Sequence, residues 1–419
     1  MADKVRIVYL NPCGKLGGAE TSLRELLASL RAAEPTWELC LVLAEDGPLV
    51  EIARDMGVQV IVRPFPPSLG RLGDAGGLST AWSLVKAAAA TWQYGRRLGQ
   101  LLSEAQPDII HTNGFKMHLL GAWTRPAGTP LVWHIHDYVS ARRWMGRLLR
   151  IFQKACSAAI ANSKSVAADL RQLLPNLNVV PIYNAIDLDR FSPVGSKLDL
   201  DSIAGLSPAG PGTVRVGLVA TFARWKGHRV FLQALAQLSD EPPVRGYIIG
   251  GPIYQTDKSQ CSFEELKDQA GRLGLDGRVG FTGFISDPAE AMRSCDIVVH
   301  ASTEPEPFGM VIAEAMACEK AVVASQAGGA AELFTDGENA LGHPPGDAAA
   351  LALQIRRLAV DPALRLRLGK AARQTAQQLY QRARLAGELM AVYRAIGSVP
   401  TTAPTAAPAE TFAGTARDR

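Results

Sequence analysis

Short β-branched runs alternate with longer amphipathic stretches from the start of the chain, and this rhythm constrains the fold more than any other feature. VRIVYL (5–10), LCLVL (39–43), VQVIV (58–62), DIIHT (108–112), PLVWHIH (130–136), SAAIANS (157–163) and NVVPIY (178–183) are separated by helix-length segments. Continuous apolar runs of this length suit parallel strands covered on both faces, since a strand with one wet face would alternate polar and apolar positions. Residues 1–190 therefore read as a doubly wound α/β domain. The rhythm breaks over 191–213, which is rich in Ser, Pro, Gly and Asp and reads as an interdomain connection. It resumes in TVRVGLVAT (213–221), VRGYIIGG (244–251), RVGFTGF (278–284), CDIVVHAS (295–302) and KAVVASQ (320–326), so residues 214–378 read as a second Rossmann-like domain. One long periodic segment then runs over about 361–396, and its part from 379 to 397 is expected to pack back on the first domain. The proline-bearing tail, 398–419, is too poor in apolar residues to order itself.

Composition agrees with two globular domains. A chain of 419 residues exceeds what one core of roughly 250 residues can organise, and 47% hydrophobic against 20% charged residues rule out wholesale disorder. The net charge of +4 is too balanced for a protein that coats nucleic acid, so no nucleic-acid partner is expected. Up to residue 190 there are 21 Lys/Arg against 16 Asp/Glu, leaving 23 against 24, so the first domain carries the positive field. Six cysteines lie far apart with no CxxC pair, which suits reduced thiols. The charged start MADKVRIVYLNPCG does not read as a secretion signal, and the most apolar stretch, 75–95, is interrupted by Lys86 and reads as a domain helix. A cytoplasmic location is expected.

Two such domains place a cleft between the carboxyl ends of their sheets, where ligands of such sheets bind. The densest candidate site there is Glu306-Pro-Phe-Gly-Met-Val-Ile-Ala-Glu314, between a strand and a helix. A helix N-terminus beside Gly309 offers backbone N–H groups and a positive dipole end to a phosphate. Read alone, Glu306 could merely favour that dipole and Glu314 could be an ordinary surface glutamate.

Two glutamates seven residues apart around Pro-Phe-Gly resemble the signature of the retaining glycosyltransferases of family 4, which have the GT-B fold. The resemblance extends to Gly17-Gly18-Ala19-Glu20, His111, His136-Asp137, Asn184-Ala185-Ile186-Asp187, Lys226-Gly227, Gly283-Phe284 and Gly328-Gly329 with Glu332, all in the family's order over about residues 5–395. It implies two Rossmann-like domains facing across a cleft, and transfer of a sugar from a UDP- or GDP-linked donor to an acceptor hydroxyl. Glu306 would then sit near the donor sugar and Glu314 on the nucleotide ribose. Phe308, Gly309 and Met310 would present backbone N–H groups to sugar and diphosphate, and Gly283 and Phe284 would also line the donor site. His136 would hydrogen-bond the transferred sugar, with His111 and Asn184 as weaker candidates.

The segment VATFARWKGH (219–228) looks like the family's basic phosphate clamp, an arginine followed five positions later by a lysine. Lys226 matches the lysine, whereas the arginine position holds Thr221 and Arg224 falls between. Bond breaking builds negative charge on the departing diphosphate, so Arg224, Lys226 or both must neutralise it; Arg224 could equally face solvent. Gly17 and Gly18 form a turn that lets the backbone approach a diphosphate or acceptor. GxGxxG and GxxxxGK[ST] are both missing, which demotes nicotinamide and ATP. Asp187-Leu188-Asp189 and Asp199-Leu200-Asp201 mimic a metal-binding DxD, yet one belongs to the NAIDLDRF segment and the other to the connection, so no metal or cofactor is expected.

Between Asp137 and Asp169 there is no acidic residue, while Arg142, Arg143, Arg147, Arg150 and Lys154 fall beside Trp144, Leu148 and Ile151. Residues 141–154 could lie on an anionic membrane, at its inner face, or form a domain helix with a solvated side. A lipid-linked acceptor would suit the first reading, and polysaccharide or lipid-linked glycan synthesis would be its setting. The alternatives are a GT-B nucleotide-sugar epimerase or phosphorylase, and a non-catalytic nucleotide-sugar-binding relative.

Overall fold

The computed structural model describes residues 4–67, 81–239, 241–252 and 260–397, with side chains from 88 onward in the helix that begins at Ala81. The tail expected to be disordered, 398–419, lies outside the described residues.

The first sheet has seven parallel strands: β1 (Arg6–Asn11), β2 (Glu38–Leu43), β3 (Gln59–Val62), β4 (Ile109–Asn113), β5 (Leu131–Ile135), β6 (Ala158–Ala161) and β7 (Val179–Pro181). Their order is β3-β2-β1-β4-β5-β6-β7. The second sheet comprises β8 (Val214–Val219), β9 (Val244–Ile249), β10 (Val279–Gly283), β11 (Ile297–His300), β12 (Ala321–Ser325) and β13 (Leu341–His343), in the order β10-β9-β8-β11-β12-β13. Each order reverses beside its first strand, at β1/β4 and at β8/β11, and these switch points open crevices at the strands' carboxyl ends. Every strand foreseen from an apolar run is present. The sequence reading missed β13, a three-residue strand with a glycine at its centre and hence no run to recognise.

In the first domain the helices Ala81–Ala105, Phe115–Thr124, Arg143–Phe152 and Lys164–Leu173 cover one sheet face, burying Tyr94, Leu98, Met117, Leu120, Leu149 and Val166. Gly18–Ala33 and Pro48–Asp55 cover the other. The terminal periodic segment is two helices, Pro362–Leu379 and Ala383–Ala395. The break falls where buried Tyr380 donates to the Leu333 carbonyl (2.8 Å) and Arg382 pairs with Glu25 and Asp187 (both 2.5 Å). The first helix stays on the second domain through Leu368, Ala372 and Ala376, and the second packs Leu385, Leu389 and Tyr393 against the first domain's core.

The connection 191–213 is no free strap. Phe191 and Leu200 are buried in the second domain, and the Arg293 guanidinium, itself 5% exposed, donates to the carbonyls of Arg190 and Ser196. Asp201 is held by Arg245, Arg215 and Tyr247, and Asp187 by Arg382, so both DxD-like pairs have a carboxylate committed to arginine.

Candidate functional site

Glu306 follows β11 in the loop that leads to the helix Met310–Ala317, and its carboxylate is buried. One oxygen accepts from Lys226 Nζ (2.6 Å), the other from His300 Nε2 (2.6 Å) and Ser302 Oγ (2.6 Å). The Ser325 backbone N–H donates to His300 Nδ1 (3.4 Å), which leaves Nε2 as the nitrogen carrying the proton that Glu306 accepts. Burial by itself would raise the Glu306 carboxyl; the Lys226 ammonium and His300 outweigh it and hold the group well below the usual carboxylate range. A fixed negative charge thus stands beside a fixed positive one, at the carboxyl ends of β8 and β11.

Lys226 owes its place to glycine. Gly227 has φ +76°, and a Cβ there would collide with the Ala301 carbonyl oxygen, so the Lys226-Gly227 turn can lie flat against the end of β11. The Trp225 carbonyl accepts from the Thr303 N–H (2.8 Å), and the Lys226 ammonium lies 4.1 Å from the Trp225 ring centroid. Gly227→Ala is expected to displace Lys226 and lower transfer on the order of tenfold while the fold survives, checked by initial rates alongside circular dichroism; unchanged rates would show that the turn does not set the lysine.

Arg224 is not in this cluster: its guanidinium bonds Glu265 (3.0 and 3.3 Å) on the far side of the loop, and Lys226 alone faces Glu306. Glu314, one turn into its helix, is half-buried and forms no ion pair among the described residues, and burial pushes its carboxyl up to about 7 against the pull of Arg190 and Arg24. Gly309 takes φ +98° at the start of that helix, whose first N–H groups have no partner within it. Phe308 is buried against Tyr183 and Tyr380, while Phe284, after Gly283 (φ +70°), is 73% exposed.

On the first domain, His136 directly follows β5 and its Nε2 meets Asn113 Oδ1 (2.9 Å). Its ring stacks on His134 at 4.2 Å, its Nδ1 has no partner among the described residues, and burial lowers its pKa to about 4, so the imidazole is neutral at pH 7. A cavity of about 70 Å³ lies beside it, lined by Asn11, Glu20, Gly114, Phe115, His118 and Asp137 among others. Gly17 and Gly18 border this region, and the Gly17 N–H donates to Glu20 (3.2 Å).

His111 requires correction. The strand-end reading put it at the cleft, but β4 continues to Asn113 and His111 sits mid-strand, wholly buried, bonded to Tyr393 Oη (2.7 Å) and His134 (3.3 Å). It is a core residue under the terminal helix.

Three contacts join the domains around Glu306. Tyr138 Oη donates to the Glu306 carbonyl (3.4 Å) and accepts from the Gly329 N–H (3.1 Å); a Cβ on Gly328 would strike that hydroxyl. Glu332 accepts from the N–H groups of Lys164 (2.9 Å) and Ser165 (2.6 Å), capping the helix Lys164–Leu173 from the opposite domain, and from Tyr183 Oη (2.9 Å). Asn184 accepts from Ser22 Oγ (2.8 Å) and reaches Met310 Sδ (3.6 Å). Charge-assisted bonds of the Glu332 kind contribute about 1.5–3 kcal/mol each, so Glu332→Ala is expected to open the cleft. Small-angle scattering would then give a larger radius of gyration than wild type; an equal radius would show that the clasp does not hold closure.

The sequence reading left out His300, Ser302 and Tyr138. The first could have been found by the argument used for His136, a histidine closing a strand of the cleft-forming sheet. Among the described residues, no three His, Cys, Asp or Glu side chains converge as a metal site.

Residues 16–190 match the family model described as Glycosyltransferase Family 4, and residues 210–375 that described as Glycosyl transferases group 1. Over 309 residues the chain is 29% identical to the lipopolysaccharide core biosynthesis mannosyltransferase LpsB of Rhizobium meliloti, covering 68% of this chain and 82% of that one. It is also 29% identical over 237 residues to the D-inositol 3-phosphate glycosyltransferase of Streptomyces bingchenggensis, covering 54% of this chain and half (50%) the length of that relative. The crystal structure of Anabaena Alr3699/HepE in complex with UDP has a TM-score of 0.74 at 28% identity, over 93% of this chain and 100% of that one. The same protein with UDP-glucose gives 0.73.

Proposed function

The chain belongs to the family 4, group 1 glycosyltransferases, and from that membership and the Lys226–Glu306–His300 cluster we infer how it moves a sugar from a nucleotide-diphosphate donor to an acceptor hydroxyl. The observation that carries the reading is a buried carboxylate gripped by lysine and histidine beside a helix N-terminus.

In this reading the second domain holds the donor. Lys226 and the N–H groups at Phe308, Gly309 and Met310 take the charge that develops on the diphosphate, so no metal is required. Arg224, tied to Glu265, contributes at most a distant field. Glu306 lies against the donor sugar, and Glu314, unpaired in the free protein, accepts from the ribose hydroxyls. His136, neutral and with one ring nitrogen unpartnered among the described residues, hydrogen-bonds the transferred sugar, and the acceptor hydroxyl approaches from the cleft. Configuration is retained by same-face attack. The acceptor oxygen bonds to the anomeric carbon as that carbon's bond to the phosphate oxygen breaks, and the hydroxyl proton passes to the departing phosphate. The clasp through Tyr138 and Glu332 excludes water.

The UDP complexes of Alr3699/HepE favour a uridine donor, and the names of relatives such as LpsB favour a glycan or lipid-linked acceptor. Among the described residues no helix is long and apolar enough to cross a membrane. A lipid-linked acceptor would be met at an anionic membrane through residues 141–154.

Nucleotide release from a panel of UDP- and GDP-sugars, with and without simple glycan acceptors, tests this. Release from one donor by wild type, lost in Glu306→Ala, is expected; equal release by both would remove Glu306 from the reaction. The Glu314 carboxyl adds a pH dependence. It ionises at about 7 in the free protein, and bonding to a diol stabilises the charged form, so donor binding tightens as pH rises through that value. Donor Kd should fall between about pH 6 and 8 for wild type and stay flat for Glu314→Gln; parallel profiles would exclude Glu314 from the donor site.

A further inference from the structure

Helices Ala81–Ala105, Phe115–Thr124 and Arg143–Phe152 lie on one face of the first domain's sheet, and this face carries an unusual surface. Among the described residues, the tryptophans with more than a third of their surface exposed are Trp92, Trp123 and Trp144, one on each helix. Trp144 is 75% exposed and continues into Leu148 and Ile151 at helical spacing, so an apolar stripe faces outward where the inward side is filled by Gly146 and Leu149. Trp123 rests on Gly95, where any Cβ would strike its ring, which sets it one helical turn from Trp92. The Arg96 guanidinium lies 5.0 Å from the Trp92 ring centroid, and Arg147 lies 4.9 Å from that of Trp144. Across the three helices the sequence has seven basic residues and one acidic residue, Glu104, at the end of the first.

We propose that this whole three-helix face, anchored by Trp92, Trp123 and Trp144, docks on an anionic phospholipid surface. The proposal extends the membrane contact through residues 141–154 from one helix to a plane. Tryptophan suits the headgroup layer because its ring is apolar and its N–H polar, and an arginine held beside each anchor on the outer two helices can meet lipid phosphates. A second copy of the chain would present the same positive charge, so self-association through this face is opposed where an anionic lipid surface is attracted. The helix that bears Trp144 leaves the carboxyl end of β5, so the docked face borders the cleft at His136 and Tyr138 and would bring a membrane-borne acceptor to its mouth.

The test is co-sedimentation of the full chain with vesicles of phosphatidylcholine alone or with about one third phosphatidylglycerol, with tryptophan emission read in parallel. Wild type should bind the anionic vesicles, release in high salt, and shift its emission to the blue. Trp92→Ala with Trp123→Ala should weaken binding about tenfold, and Arg96→Gln with Arg97→Gln by about fivefold per arginine, the second pair guarding against lost packing on Gly95. Nucleotide release from a soluble donor should be unchanged in both, which separates this proposal from the catalytic reading. If both double variants bind as wild type while Trp144→Ala does not, the contact is confined to one helix and the three-helix face is overturned. If wild type ignores anionic vesicles, the membrane contact itself is overturned.

Discussion

Glu306→Gln is expected to lower kcat by about 10²–10³, with a much smaller change in the donor's Kd. The substitution preserves shape but removes the charge that Lys226, His300 and Ser302 converge on, and it leaves an ammonium in a buried place without its counter-ion. Losing one preorganised electrostatic partner in a water-excluded site raises a barrier by about 3–4 kcal/mol. Single-turnover rates at saturating donor would read the chemical step directly. A variant within threefold of wild type would mean that the carboxylate only organises the loop. Thermal denaturation separates the two roles, since an equal melting temperature with a collapsed rate assigns the loss to chemistry.

Lys226→Met should be as costly, by a different route. The Thr221 position carries no positive charge, and Arg224 is committed to Glu265, so in the proposed reading it falls to Lys226 to answer the charge on the leaving diphosphate. Both donor affinity and kcat are expected to fall, the latter on the order of 10²-fold. Because Lys226 and Glu306 share one ion pair at 2.6 Å, the double variant should be far less impaired than the product of the singles. Additive losses would show that the two residues act in separate steps. Restoration by Lys226→Arg would show that charge suffices; continued loss would show that the flat turn at Gly227 admits only the slimmer ammonium.

The strands were legible because a parallel strand covered on both faces is apolar along most of its length, and the charged residues of the longer ones, Arg6, Glu38, Arg215 and Arg245, fall at or next to the strand's first position. The Glu306–Glu314 spacing was legible for a similar reason, since both residues sit on one strand-loop-helix unit. The cluster itself was not. Lys226 meets Glu306 across 80 positions, and His300 lies inside a run that reads as an ordinary strand. Strand-end logic placed His136 correctly at the cleft but misplaced His111, because β4 runs two residues beyond it and the terminal helix closes over it with Tyr393. Nothing local to Arg224 signals Glu265, the partner that its guanidinium takes in the structure. Nor could periodicity show that Glu332 would cap a helix of the other domain, for that contact spans 168 positions.

The most direct measurement is calorimetric titration of UDP, UDP-glucose and GDP-mannose into wild type, Lys226→Met and Glu314→Gln at pH 8. If the cleft at Glu306 is a nucleotide-sugar site, wild type binds one nucleotide series with micromolar affinity, Lys226→Met loses most of the diphosphate's contribution, and Glu314→Gln weakens free nucleotide and sugar nucleotide alike. Equal affinity in all three proteins would place the donor elsewhere and contradict the site described here.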